Sequence, residues 1–457
     1  MLNTGIREIL LKVRDEARGS GIDARFLLHH ENSHLMRIGN NSVSLNTSEE
    51  LYRLDVVVRE GTRQGSQTYL GMIDDIQVVR DVLKSAVDKA RLAPPRDYEP
   101  LTDRVEENVD EEDQYDEALE NLDPSFKEGA YGDIFARLGG KYNYSGSWSS
   151  GSTELYVITT AGDKEAYHKG TDQLFSVVLK HPGTGWELSG RQTGWRVSDF
   201  DADKTVTELE RLLKVFEGAD GRMVEPGTYT VIFGAAAVAE IVEMAVWTGL
   251  LGRGWEEKRG WTAGKNPGDR ILGENVSLVD DPVNPDTFMF GFDYCGRRRR
   301  IFPLVGDGEL INLMYDSATA AKYGKKPTGH DINSLSLVMD TGFGGEDPLK
   351  AVGTMGRVLF IPDLHYVNIP SESAGIFTGS SRFNAVLVED GEMVSPIFST
   401  RVTDSFVHIL GGIVELSSKS ESVNMSNTYG RRSPVAMSVP SYAVCAEVKI
   451  TDSADSF

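Results

Sequence analysis

Several clusters in this sequence hold side chains of the kinds that do chemistry. His30-Glu31-Asn32-Ser33-His34 has the spacing H-E-x-x-H. On a helix, that spacing puts two imidazoles on one face and lets the carboxylate address a metal-bound water. His365-Tyr366-Val367-Asn368 offers a titratable nitrogen, a phenol and an amide within one tetrapeptide. His330 follows Gly329 in a predicted loop, where it is free to reach a cleft. Arg297–Arg300 is the only basic run. Alternation with Cys295, Ile301 and Phe302 predicts a strand there with an exposed arginine face, suited to an anion or a peptide carboxylate.

The elements around these clusters decide what they can do. Asn32 and Ser33 are weak helix formers, Gly39-Asn40-Asn41 follows within a turn, and β-rich runs flank the segment. The expectation is therefore a polar kink between short strands (Ala24–Leu28 and Leu35–Ile38), with His29 also exposed and no metal bound. Around His365, Arg357–Ile361 is a β-rich run closed by Pro362. Asn384–Glu389 and Met393–Phe398 are two more, joined by Glu389-Asp390-Gly391-Glu392, a strong hairpin signal because Gly tolerates the positive φ the turn requires. His365–Asn368 and the Gly/Ser/Thr-rich stretch after it are predicted as a site loop between them. If the tetrapeptide is extended, His365 and Val367 face one side, Tyr366 and Asn368 the other.

The rest of the chain supplies the scaffold. Thr4–Ala17, Asp74–Arg91, Ser125–Leu138, Asp203–Phe216 and Ala235–Leu251 have helical apolar spacing. Glu154–Thr160, Gln173–Lys180 and Trp186–Trp195 alternate as antiparallel strands. Asp97–Asp123 carries 13 acidic residues against one Arg, the composition of a solvated linker or exposed face. Ser417–Arg432 is polar and reads as a mobile connection. The fold class expected is α+β: an N-terminal α+β domain, residues 1–225, with an antiparallel sheet and flanking helices, and a mostly-β C-terminal domain, residues 226–457.

Composition narrows the functional classes. The chain has 457 residues, 40% hydrophobic and 25% charged, with a formal net charge of −22. That length favours two domains, and that charge argues against binding a phosphate backbone. No apolar run approaches a membrane span. Arg7, Lys12, Arg14 and Asp15 interrupt any signal-peptide core. Two cysteines are too few for a disulfide framework, so a cytoplasmic location is expected.

His-Tyr-x-Asn, followed by Thr378, Gly379, Arg382, Glu389, Gly391 and Glu392, resembles the C-terminal signature of the TldD/PmbA family. Arg382 stands one place later than in the commonest form. Asp316, Ala320, Ala321, Gly324, Thr328, Gly329 and His330 resemble a second family segment, and the run RIGNNSV an N-terminal one. The resemblance implies cytoplasmic metallopeptidases and their metal-free paired subunits, which together cut unfolded or loosely structured peptides. In metal-bearing members the helix after the corresponding strand carries His-Glu-x-x-x-His. Setting Val231-Ile232-Phe233 against that strand brings Ala239, Glu240 and Met244 to the motif. Glu240 keeps the acid's place, and both histidines are gone. No shift of register helps, because no His stands between His181 and His330.

The leading expectation is thus a metal-free subunit, forming a homo- or heterodimer with a TldD-like chain that holds the zinc, and binding peptide substrate. Glu240 is the candidate catalytic residue; His330, His365, Tyr366, Asn368 and Arg382 are the candidate cleft; no metal or cofactor is assigned to this chain. Two alternatives stay open. One is an active peptidase drawing ligands from His330, His365 and Cys445. The other is a non-hydrolytic peptide- or small-molecule-binding protein. Cys445, without the two histidines, reads as a buried small hydrophobe.

Overall fold

The computed structural model describes residues 2–330, 333–353, 355–425, 432 and 435–455. Three sheets organise the chain. The first runs, in spatial order, through Arg63–Leu70, Ser42–Glu60, Asp23–Gly39, Asn143–Thr159 and Glu165–Lys180. Val109–Glu111 and Glu187–Gly194 both pair with Glu165–Lys180, at its two ends. The helices Thr4–Gly19 and Ile76–Leu92 bury Leu10, Val13, Val79 and Ala86 among the apolar residues of this sheet. Asn3 and Asp75 cap them by accepting from N–H groups of the first turn. Gly65 lies where Ile76–Leu92 crosses the sheet; a Cβ there would collide with the backbone of Ala90 and Ala86.

The second half carries the other two sheets. One has the order Leu364–Ser371, Ile376–Ser381, Thr400–Ser405, Tyr442–Ser453, Gly227–Gly234, Arg357–Ile361, Val386–Glu389, Glu392–Pro396, with Ile413–Leu416 also on Tyr442–Ser453. The smaller sheet runs from Glu309–Leu310 through Phe302–Gly306, Leu278–Asp280, Leu337–Met339 and Ala436–Pro440 to Ser420–Asn424. Helix Ala235–Gly249 is apolar almost all round and is buried accordingly. One hydrophobic cluster joins Trp148, Phe175 and Leu209 of the first half to Ile232, Val358 and Val444 of the second. The architecture is α+β, as the residue pattern predicts.

Several local expectations are corrected. Ala24–Leu28 and Leu35–Ile38 are parts of one unbroken strand, Asp23–Gly39, paired on both sides. The polar centre is tolerated because its side chains find partners. His30 stacks on Tyr52 with ring centroids 4.0 Å apart, and His34 Nδ1 lies 2.8 Å from Ser48 Oγ. His29 is fully buried rather than exposed, its Nε2 3.0 Å from Glu31 Oε2. His30–His34 is therefore continuous strand rather than a kink, and it lacks the helical geometry that the H-E-x-x-H chemistry needs.

The acidic run is not a solvated linker. Val109–Glu111 is a sheet strand, Gln114 is buried, and buried Asp103 pairs with Arg59 and Arg25. Nor is Arg297–Arg300 a strand with a free cationic face. Arg297 and Arg298 pair with Glu106, Glu107 and Glu111 of that run, and fully buried Arg299 pairs with Asp280. Two of the four arginines thus pair with three acids of the other run, a long-range contact no local pattern announces. Of Ser417–Arg432, residues 420–424 form a strand, and 426–431 lie outside the described residues. No helix among the described residues is long and apolar enough to cross a membrane.

Candidate functional site

The strand Gly227–Gly234 leads directly into helix Ala235–Gly249. It pairs in parallel with Arg357–Ile361, Phe233 opposite Ile361. That register sets Pro362-Asp363 beside the start of the helix. Gly234 packs so closely on the Pro362 backbone that a side chain would not fit, and the Ala237 N–H donates to the Pro362 carbonyl at 3.1 Å. Asp363 is thereby held at the helix N-terminus, where the helix dipole favours negative charge.

Arg191 reaches the same place from the first sheet. Its Nη1 lies 3.0 Å from Asp363 Oδ1 and its Nη2 3.4 Å from His365 Nε2. The Asp363 contact is an ion pair without hydrogen-bond geometry, so this buried Oδ1 keeps its accepting capacity. Burial, then the charge of Arg191, lowers the pKa of His365, against the opposing pull of Asp363. The imidazole is therefore biased toward its neutral form. Arg191 and Asp363 line a cavity of about 270 Å³ with Ala235 and Asn384. A neighbouring cavity of about 590 Å³ shares Arg191 and Ala235 and continues along Ser420–Asn424. Together they form a groove between the first sheet and the second half of the chain.

Asn384 fixes the groove wall. Its Oδ1 accepts from Ser189 N at 2.8 Å and its Nδ2 donates to Ser189 O at 2.7 Å. Phe383 and Asn384 both have positive φ, 59° and 54°. Phe383 meets His365 edge-on, centroids 5.4 Å apart, and carries the Arg382 guanidinium over its ring. Arg382 also pairs with Glu187 at 3.6 Å. His365, Arg382 and Arg191 are thus brought together.

Tyr366 and Asn368 lie on a strand, Leu364–Ser371, rather than in a loop, and the Gly/Ser/Thr-rich stretch after them forms its partner Ile376–Ser381. The alternation holds: His365 and Val367 are half-buried, Tyr366 and Asn368 exposed. Tyr366 adopts φ 52° at an irregularity in the pairing, and Asn368 Nδ2 donates to its carbonyl at 3.0 Å. His330 stands apart. Its Nδ1 lies 2.5 Å from Asp280 Oδ2, its ring stacks on Phe302, and it lines a different cavity with Trp247 and Thr248, at the other end of helix Ala235–Gly249. His330 and His365 share no described partner.

Glu240 is half-buried on the same helix, and its pKa is raised by burial, with Arg191 pulling it down and Asp363 pushing it up. Glu243 was not anticipated. Burial and then Glu240 push its carboxyl up to about 7. Two acids three places apart on an otherwise apolar helix were a visible signal. Arg191 had none, being one arginine of an alternating strand.

Residues 226–452 match the PmbA/TldA metallopeptidase C-terminal domain. The chain belongs to the TldD/PmbA family. Its fold is that of TldE from Thermococcus kodakarensis, with TM-score 0.80 and 17% identity over 98% of this chain and 100% of that one. It is equally that of a proposed modulator of DNA gyrase from Bacteroides thetaiotaomicron, with TM-score 0.80 and 17% identity over 99% and 100%. A similar protein from Thermotoga maritima gives TM-score 0.78 at 15% identity over 97% and 99%. Among curated proteins none matches.

A metallopeptidase family implies a zinc ion, and the donor set does not fit one. Ala239 has no ligand atom, Met244 offers only a thioether, and Glu240 stands between them. No three His, Cys, Asp or Glu side chains gather to hold a metal among the described residues, so His330, His365 and Cys445 are not assembled as ligands. Cys445 is buried in the strand Tyr442–Ser453, its thiol pushed up to about 12 by burial.

Proposed function

We propose that this chain is the metal-free subunit of a TldD-type proteolytic complex and supplies part of the chamber that holds an unfolded or loosely structured peptide. The observation that carries the reading is that helix Ala235–Gly249 holds no histidine, Ala239 and Met244 standing where the family resemblance sets the two imidazoles, beside a groove lined by Arg191, Asp363 and Asn384. A peptidase zinc activates its water with about three protein ligands and an open position. The groove offers acceptors and donors suited to a peptide backbone: the Asp363 carboxylate, the Arg191 guanidinium paired with it and the neutral-biased imidazole of His365. Glu240 contributes a carboxyl near these groups. The division into residues 1–225 and 226–457 belongs to the same proposal, the groove lying between the two parts.

The test is biochemical. Purified alone, the chain should hold no stoichiometric zinc and leave unstructured peptides intact. Mixed with a His-Glu-x-x-x-His relative from the same cell, it should form a complex that cleaves them. One zinc per chain with chelator-sensitive cleavage by this protein alone would overturn the reading.

A further inference from the structure

The cavity at the far end of helix Ala235–Gly249 has a volume of about 420 Å³. Among its described lining residues the most deeply buried polar side chain is that of His330, 2% exposed. The orientation of that imidazole is set from behind. Asp280 is fully buried, and its Oδ1 accepts from Arg299 Nη2 and from the Ser336 N–H, both at 2.6 Å. Burial pushes the Asp280 pKa up, but Arg299 and His330 outweigh it and keep the group a carboxylate. A carboxylate only accepts, so His330 Nδ1 carries the hydrogen that bridges to Oδ2. Nε2 is left without a partner among the described residues, on a ring that lines the cavity.

The cavity wall has two further characters. Trp247 is 51% exposed, and Leu251 lies with it, so one side is apolar. The other side carries both signs of charge. Arg253 and Arg259 both pair with the Glu257 carboxylate, which also pairs with Lys322, and Asp316 stands in the same wall. Glu372 supplies an exposed carboxylate at the end of strand Leu364–Ser371. An aromatic face, a guanidinium pair and a carboxylate beside a buried imidazole are complementary to a zwitterion with an apolar side chain.

We propose that this cavity binds a short apolar zwitterion, a free amino acid or a dipeptide. The side chain rests on Trp247 and Leu251, the carboxylate meets Arg253 and Arg259, and the ammonium group meets Glu372 beside the His330 ring. The site is separate from the Arg191–Asp363 groove and does not depend on the peptide-chamber reading, since it requires neither a partner subunit nor cleavage.

Titration calorimetry on the full chain tests it, with L-leucine, L-leucyl-L-leucine and N-acetyl-L-leucine amide as probes. At least one zwitterion should bind saturably, and the uncharged amide should not. Trp247→Ala and Glu372→Gln alter exposed side chains and should each weaken binding by about tenfold or more. Absence of binding by both zwitterions, equal affinity for the amide, or unchanged affinity in either variant would overturn the proposal. Cleavage assays with a zinc-bearing relative judge the other reading independently.

Discussion

Arg298 Nη1 and Glu111 Oε1, 187 residues apart in the chain, lie 2.6 Å from each other. The pair fastens the acidic run of the first half to the basic run of the second. Burial raises the Glu111 pKa, but His168, the Gly291 N–H and Arg298 overcome this and hold the carboxyl at about 2. A depressed folded-state pKa gives stability that is present above the unfolded value of 4.5 and lost as pH falls toward 2. Glu111→Gln should therefore cost on the order of 2 kcal/mol at pH 7, and the difference from wild type should shrink between pH 4.5 and pH 2. Denaturant unfolding across that range measures it.

Glu243 has the opposite sign. Its folded-state pKa of about 7 lies above the unfolded 4.5, so its contribution is full below pH 4.5 and lost as pH rises through 7. Glu243→Gln removes the buried charge. The variant should match wild type near pH 4.5 and exceed it at pH 8, by on the order of 2 kcal/mol. Equal stability at pH 8 in chemical denaturation would contradict this.

The scaffold around the site was legible where the signal is local. Apolar spacing marks the helices Ile76–Leu92 and Ala202–Gly218, which the structure caps with the side chains of Asp75 and Asp201. Asp390 and Gly391 take φ 51° and 79°, as their hairpin requires. Local signals failed where distant partners decide the outcome. The Gly/Ser/Thr-rich stretch Ile376–Ser381 looks like loop, yet it is a strand because neighbours pair with it on both sides. His29–His34 looks like a break until Ser42–Glu60 and Asn143–Thr159 satisfy it. Within the site, His365 and Arg382 could be read from their motif. Their convergence with Arg191 could not, because it depends on how Glu187–Gly194 docks against the second half.

Asn384 should prove a structural residue of the groove. Asn384→Ala deletes both hydrogen bonds to Ser189 and places a Cβ at φ 54° without the local hydrogen bonding that eases Asn there. The expected loss is about 2–3 kcal/mol. Asn384→Gly loses the same bonds yet accepts the positive φ, so it should be the milder change by about 1 kcal/mol. Comparing both variants by denaturant unfolding separates hydrogen bonding from backbone strain.

Arg432 makes a stronger connection between the halves. Its Nε and Nη2 lie 2.6 and 2.8 Å from the two carboxylate oxygens of Asp172, and its backbone N–H donates to Glu31 at 2.6 Å. Both side chains are 4% exposed. Removing one charge leaves the other buried without its counterion, so Arg432→Met should cost about 3–5 kcal/mol. Asp172→Asn in the same chain discards the stranded charge, and because its amide can still accept from Asn424 Nδ2, the double variant should regain part of the loss. Restoration by the second substitution identifies an electrostatic latch. A double variant no more stable than Arg432→Met would mean that the packing of the Arg432 side chain, rather than its charge, holds the two halves there.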